Sequence, residues 1–339
     1  MRKPLLFIFI MILSLSLLSG CAGSTTTPES NVEESNIKIR IAHVCSPGSP
    51  YDWGAQEFKK LVEEASNGRI TVSVHAGDMT TDEIEAFEMA QSGNIEIAWV
   101  GTGSIGGFAP SLDIIGMPFL FDDNKHMQRA FNGEFGKAIL EDVNKVDSVV
   151  GLGFHIDGWR NILSKDKVID SVDDMKGLRI RSMMNNICTS MYEALGAIPI
   201  SISSGEIYTS LQTNVVEAQD NSFVYAVPEG YIDVVNCASI IHHFYSGGII
   251  LANENWFNGL STEDQKLVKT CAEKAGAKAN DMFLSEDEKL IEEYKAKGYT
   301  ITYPSDLDAW KAAVQPVYEE QYKQNPDWKK LVEMVDAVR

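Results

Sequence analysis

Apolar and polar residues alternate along 37–44 (Ile-Lys-Ile-Arg-Ile-Ala-His-Val), which predicts a half-buried strand. The period then changes. Over 51–67, Phe58, Leu61, Val62 and Ala65 recur at three- and four-residue steps, predicting a helix with one apolar face that Gly68 ends. A strand over 70–75, a helix over 80–92 stopped by Gly93, and a strand over 95–100 follow. This order predicts a parallel sheet with helices packed on it. Further strands over 149–155, 178–181, 198–200 and 215–219 predict a second α/β lobe.

The longest periodic segment is 262–297. Leu260, Thr262 and Gln265 have the form of a hydrophobic staple and capping box. Apolar positions continue through Leu267, Val268, Cys271, Ala275, Met282, Phe283, Leu290, Ile291 and Tyr294, and Gly298 supplies the stop. At 1.5 Å per residue such a helix is roughly 54 Å long, enough to run along two lobes, with a bend at Gly276. The alternative is two shorter helices broken near Gly276 or Ser285.

The N-terminus has a different character. Arg2 and Lys3 precede an apolar stretch from Leu5 to Leu18, too short for an ordinary membrane span, so residues 1–20 are expected to be a secretory signal. Leu18-Ser19-Gly20-Cys21 has the form of a lipobox, making Cys21 the expected lipidated first residue of the mature chain. The other option is a soluble secreted protein. Residues 22–36, rich in Ser, Thr, Glu and Asn, are expected to be a flexible tether. About 300 ordered residues remain, a length that usually makes two domains.

Charge narrows the partners. The chain carries a net charge of −19, and losing Arg2 and Lys3 with the signal makes it −21. Such a surface argues against nucleic acid, which needs clustered Lys and Arg. A site for a small anion must then supply its own cation. Cys45, Cys188, Cys237 and Cys271 have no CxxC spacing, so no zinc site is expected. They are either small buried residues or members of one of three possible pairings.

Motifs of catalysis are weak. Gly101 to Gly106 spells GxGxxG, but Pro110 and Pro118 leave little room for the helix a dinucleotide site needs. These glycines are expected to let the backbone approach a cleft. His242 and His243 are adjacent and would face opposite sides of a strand, a poor metal pair. The run 285–289 (Ser-Glu-Asp-Glu-Lys) fits the solvated face of the long helix. No enzyme is expected, and no cofactor or metal.

The most distinctive stretch is 173–221. It contains Lys176-Gly177-Leu178-Arg179-Ile180-Arg181, then Ala194-Leu195-Gly196-Ala197 with Pro199, then Glu206-Ile207-Tyr208 with Leu211-Gln212-Thr213, then Val215 to Asn221. Leu178 and Ile180 mark a short strand delivering Arg179 and Arg181 to one face of a sheet, and Gly196 and Pro199 break the helix that begins near Asn185. In this order the motifs resemble the core of the DctP-type solute-binding proteins that serve TRAP transporters. Weaker similarity runs from about Ile37 to the C-terminus.

That resemblance implies a two-lobe, periplasmic-binding-protein-like (Venus flytrap) α/β fold with a long helix spanning both lobes. Lobe I would comprise 37–157 plus 247–286, and lobe II 158–246 plus 287–339, with the ligand in the cleft between them. Arg181 would make the main bidentate contact with a ligand carboxylate, a geometry that suits guanidinium. Arg160 would be a second cation, touching the ligand or forming an interlobe salt bridge. Asn221 would donate from its amide, and Glu217 and Asp220 would accept from hydroxyls or hold Arg160. His43, Trp99 and Tyr51-Asp52-Trp53 would close over the ligand from lobe I. Ser182-Met183-Met184-Asn185, Ser201 and Ser204 depart from the family's common pattern, so Met183, Asn185 and Ser204 should shape one pocket wall.

The function so implied is capture of a carboxylate-bearing molecule by lobe closure. A hexuronate such as glucuronate or galacturonate is expected ahead of a C4-dicarboxylate. Delivery would be to the small and large membrane subunits of a TRAP permease, with a monomer held to the membrane by its lipid anchor only. A ligand sensor of the same fold and an ABC-type receptor are the alternatives.

Overall fold

A computed structural model describes residues 36–339. The expected signal, the lipobox with Cys21, and the tether as far as residue 35 lie outside the described residues. The strands are β1 (Ile37–His43), β2 (Ile70–Ala76), β3 (Ile97–Gly101), β4 (Val149–Ser164), β5 (Arg179–Ser182), β6 (Ile198–Ser201), β7 (Ala218–Asn221), β8 (Cys237–Asn253) and β9 (Thr300–Thr302). The helices are α1 (Pro50–Ala65), α2 (Glu83–Gln91), α3 (Asn124–Asn132), α4 (Glu134–Val143), α5 (Asn186–Ala194), α6 (Ile207–Gln212), α7 (Phe223–Ala226), α8 (Glu254–Gly259), α9 (Thr262–Ala296), α10 (Leu307–Gln324) and α11 (Trp328–Asp336).

All the described strands join one sheet in the order β2-β1-β3-β8-β4-β7-β5-β6, with β9 beside β8. In the first half β1 pairs in parallel with β2 and β3, as the strand–helix alternation predicts. In the second half β5 pairs in parallel with β6 and β7. Two long antiparallel strands connect the halves. One end of β8 pairs with β3, one end of β4 pairs with β7, and β4 and β8 pair with each other along their lengths. The fold is two-lobed α/β, with the second lobe built on the far ends of β4 and β8.

These two strands are longer than the hydrophobic pattern predicts. Residues 149–155 read as a strand, yet β4 continues to Ser164. Its register shifts at three places, between Gly151 and Gly153, Ile156 and Gly158, and Arg160 and Ile162. Each bulge resets the alternation that a period-two pattern needs. β7 begins at Ala218 rather than 215, because Asn214 takes a positive φ of 60° and Val215 folds back onto the Ser210 carbonyl.

The helix α9 is continuous over 35 residues and packs on α1, β4 and α7, so it reaches both halves. Its cap sits one residue earlier than expected: Ser261 Oγ accepts from Asp264 N at 3.1 Å. Gly276 does not break it. A Cβ there would lie 2.2 Å from the Phe154 carbonyl oxygen, so glycine lets the helix lie directly on β4. Gly158 serves the same contact from the strand side. Its φ is +93° and a Cβ would lie 1.9 Å from the Phe283 ring. The four cysteines of the described region are buried and form no disulfide with one another.

Candidate ligand-binding cleft

The ends of β5 and β7 nearest the first half of the sheet carry the polar residues. Arg181 on β5 is buried, at 4% exposure. Its Nε donates to the Ile202 carbonyl at 2.9 Å, and its terminal nitrogens make no hydrogen bond with the described residues. No carboxylate among the described residues lies within ion-pair distance of it. Burial, and then the charge of Arg160, push its pKa down. A guanidinium still keeps its proton, so an unneutralised cation faces the cleft.

Arg160 on β4 is differently placed. Its Nε donates to Asp220 Oδ2 at 2.9 Å and its Nη2 to Asp220 Oδ1 at 3.2 Å, and Nη2 also reaches the Asp220 carbonyl. His243 Nε2 lies 3.4 Å from the same carboxylate. Burial alone would raise the Asp220 pKa. The charge of Arg160 and the His243 contact outweigh it and hold the carboxyl well below the usual range.

Arg160, Arg181, Met183, Ser204 and Asn221 line one cavity with Val44, Cys45, Glu83, Gly205, Ile207, Tyr225, Glu229 and Tyr231. Its volume is about 50 Å³, small because the two rims touch. Cys45 Sγ meets Tyr225 Oη at 2.9 Å. Ser46 donates from its backbone N to Glu229 Oε1 at 2.8 Å and from Oγ to Oε2 at 3.2 Å. Asn185 Nδ2 donates to the Gly103 carbonyl at 2.8 Å, beside which Gly103 leaves no room for a Cβ. The glycine run after β3 thus brings backbone to the cleft rim.

The remaining expected site residues are elsewhere or differently engaged. Asn185 caps α5, accepting from Cys188 N at 2.8 Å, and reaches the rim rather than the cavity wall. Asn221 uses its amide on Gln219 Oε1 at 3.2 Å, and its buried Oδ1 has no partner among the described residues. Its amide group thus keeps the open acceptor alongside its second N–H. Glu217 lies at the opposite end of β7, half-exposed and paired with Arg179 at 3.3 Å. His43 is buried beside Asp52 at 3.9 Å and edge-on to Tyr51. Trp99 is fully buried against His155 and Gly54. Strand alternation turns both residues inward, away from the cavity. Tyr51, also fully buried, supports the site from behind: its hydroxyl donates to Glu83 Oε1 at 3.3 Å and its ring packs edge-on to Tyr225.

Sequence reasoning missed Val44 and Cys45, although both directly follow β1, where open α/β sheets place ligand contacts. It also missed Glu83, Tyr225 and Glu229. Glu83 starts α2 and is held by Gly101 N at 3.1 Å, the Tyr51 hydroxyl and Ser104 Oγ. Glu229 follows α7, and burial raises its pKa despite the two bonds from Ser46.

A family model described as bacterial extracellular solute-binding protein, family 7 (DctP), matches residues 41–325. The chain belongs to this DctP family. Members of the family are solute-binding receptors. The chain is 28% identical over 295 residues to the C4-dicarboxylate-binding periplasmic protein DctP of Rhodobacter capsulatus, covering 84% of this chain and 86% of that one. The DctP fold is also seen in a TRAP periplasmic solute-binding protein from Roseobacter denitrificans with bound β-D-glucuronate. There the TM-score is 0.85 and the identity 27%, over 89% of this chain and 100% of the other. A third relative, from Pseudomonas putida F1 with bound D-glucuronate, matches with a TM-score of 0.84 and 29% identity over 89% and 98% of the two chains. No described helix is long and apolar enough to cross a membrane.

Proposed function

We propose that this protein is the extracytoplasmic substrate-binding subunit of a TRAP transporter. It captures a small organic acid, a hexuronate ahead of a C4-dicarboxylate, by lobe closure and presents it to the small and large permease subunits. The observation that carries this reading is Arg181, a buried guanidinium with no neutralising carboxylate among the described residues, in a chain of net charge −19. A carboxylate ligand supplies the missing charge and takes both terminal nitrogens as a fork. Arg160, committed to Asp220, holds the wall from which Asn221 projects. The glucuronate-bound relatives favour a hexuronate. Residues 1–20 direct export, and lipidated Cys21 tethers the monomer through 22–36. No covalent chemistry takes place.

A thermal-shift screen tests this. A ligand that binds only the folded state raises its melting temperature by mass action. Uronates, dicarboxylates, sialic acid, 2-keto acids and lactate form the panel, with hexuronates expected to give the largest shifts. Shifts from neutral sugars or amines alone would overturn the reading.

A further inference from the structure

The cleft is lopsided in charge. Among the described residues lining it, the cations are Arg160 and Arg181, and Arg160 is already paired with Asp220. The same wall presents two carboxylates, Glu83 and Glu229, and the unpartnered Oδ1 of Asn221, which is buried at 4% exposure. These groups are fixed rather than adaptable. Three first-half donors, Gly101 N, the Tyr51 hydroxyl and Ser104 Oγ, hold Glu83. Gly101 makes the space, since a Cβ there would lie 3.0 Å from both Glu83 carboxylate oxygens. Glu229 is held across the cleft by Ser46.

One carboxylate satisfies Arg181. Glu83, Glu229 and the Oδ1 of Asn221 then present acceptors, which hydroxyl groups on the rest of the ligand can meet as donors. A second carboxylate would instead meet like charge in a desolvated site, a juxtaposition used widely to reject wrong partners.

Resting on the proposed function, we infer that Glu83 and Glu229 are specificity determinants that restrict the cleft to polyhydroxylated monocarboxylates and exclude the matching diacids. Glu83 is fixed within one lobe and does so in the open and closed forms alike. Glu229 bonds across the cleft and acts only as the lobes meet.

The test is calorimetry on the mature protein with matched pairs: D-glucuronate against D-glucarate, and D-galacturonate against galactarate, with succinate as a short diacid. Each pair shares its carbon chain and differs in the second carboxylate. The wild type should prefer at least one uronate over its diacid by about a hundredfold or more. Glu83→Gln and Glu229→Gln, which keep size and one acceptor, should each shrink that ratio about tenfold, the diacid gaining. A wild type that binds a uronate and its diacid within about tenfold overturns the inference and leaves the proposed function standing. So does a ratio unmoved in both variants. Failure of every acid to bind overturns the function itself and the inference with it. The wild-type ratio needs no variant, so the test survives a substitution that fails to fold.

Discussion

Arg160 and Asp220 form a buried, two-pronged ion pair, Nε to Oδ2 at 2.9 Å and Nη2 to Oδ1 at 3.2 Å, and this pairing separates the roles of the two cleft arginines. Twenty-one residues apart in sequence, they arrive from different strands at one cavity. One cation is neutralised within the protein and the other is left for a ligand.

Asp220→Ala should therefore be the costly substitution for folding. It removes the buried carboxylate that Arg160 donates to twice and that faces His243. Losing one partner of a buried pair costs about 3–5 kcal/mol. Denaturant unfolding of the ligand-free protein should show a loss of that size. A change below about 1 kcal/mol, the level of an exposed pair, would contradict the pairing.

Arg181→Ala should do the reverse. No carboxylate depends on Arg181, so the ligand-free melting temperature should hold or rise. Binding of the carboxylate ligand should weaken about thirtyfold or more, the equivalent of about 2 kcal/mol. Arg181→Lys should not restore it, because an ammonium lacks the planar fork. Calorimetry on the folded variants decides the point. Near-native affinity in Arg181→Ala would remove Arg181 from the site.

Asp287 on α9 offers a pH signature. Its carboxylate accepts from Phe223 N at 3.1 Å and Val224 N at 3.3 Å, at the start of α7. Burial outweighs those bonds and raises its pKa to about 6, above the ordinary 3.8. The folded state thus holds its proton more tightly than the unfolded chain. Ionisation then weakens folding as pH rises through the window from 3.8 to about 6. Asp287→Asn keeps an acceptor and removes the charge. Relative to wild type it should gain about 1–3 kcal/mol on going from pH 4 to pH 8. Parallel melting curves at the two pH values measure this, and a constant difference would contradict it.

Much of the scaffold was legible because its signals are local. The alternation in β1, the apolar face of α1, and the periodic run ending at Gly298 each depend on neighbours in sequence. The long central strands were not legible in full. Bulges in β4 reset its period, and His242, with a positive φ of 52°, lies where β8 shifts register against β4.

In the cleft, Arg181 and Asn221 from the motif run, Met183 and Ser204 from its departures, and Arg160 from before it line one cavity. His43 and Trp99 do not join them, because their side chains are packed in the core, and apolar surroundings alone do not reveal which face of a strand meets ligand. Glu217 fails for a related reason: it lies on the right strand at the wrong end. Glu83, Tyr225 and Glu229 belong to helix starts and loops. Their proximity exists only once the chain has folded.

The two long strands and α9 run side by side between the lobes. Mechanically they resemble parallel leaf springs clamped at both ends. Such a set flexes readily in one direction and resists sliding and torsion, so the lobe closure proposed above would follow a single angular coordinate. The entropy lost on closing is then that of one soft coordinate rather than of two free bodies. A handful of rim bonds, such as Ser46 to Glu229 and Asn185 to Gly103, is enough to bias the balance, and the ligand's own binding energy is left to decide when the jaws stay shut.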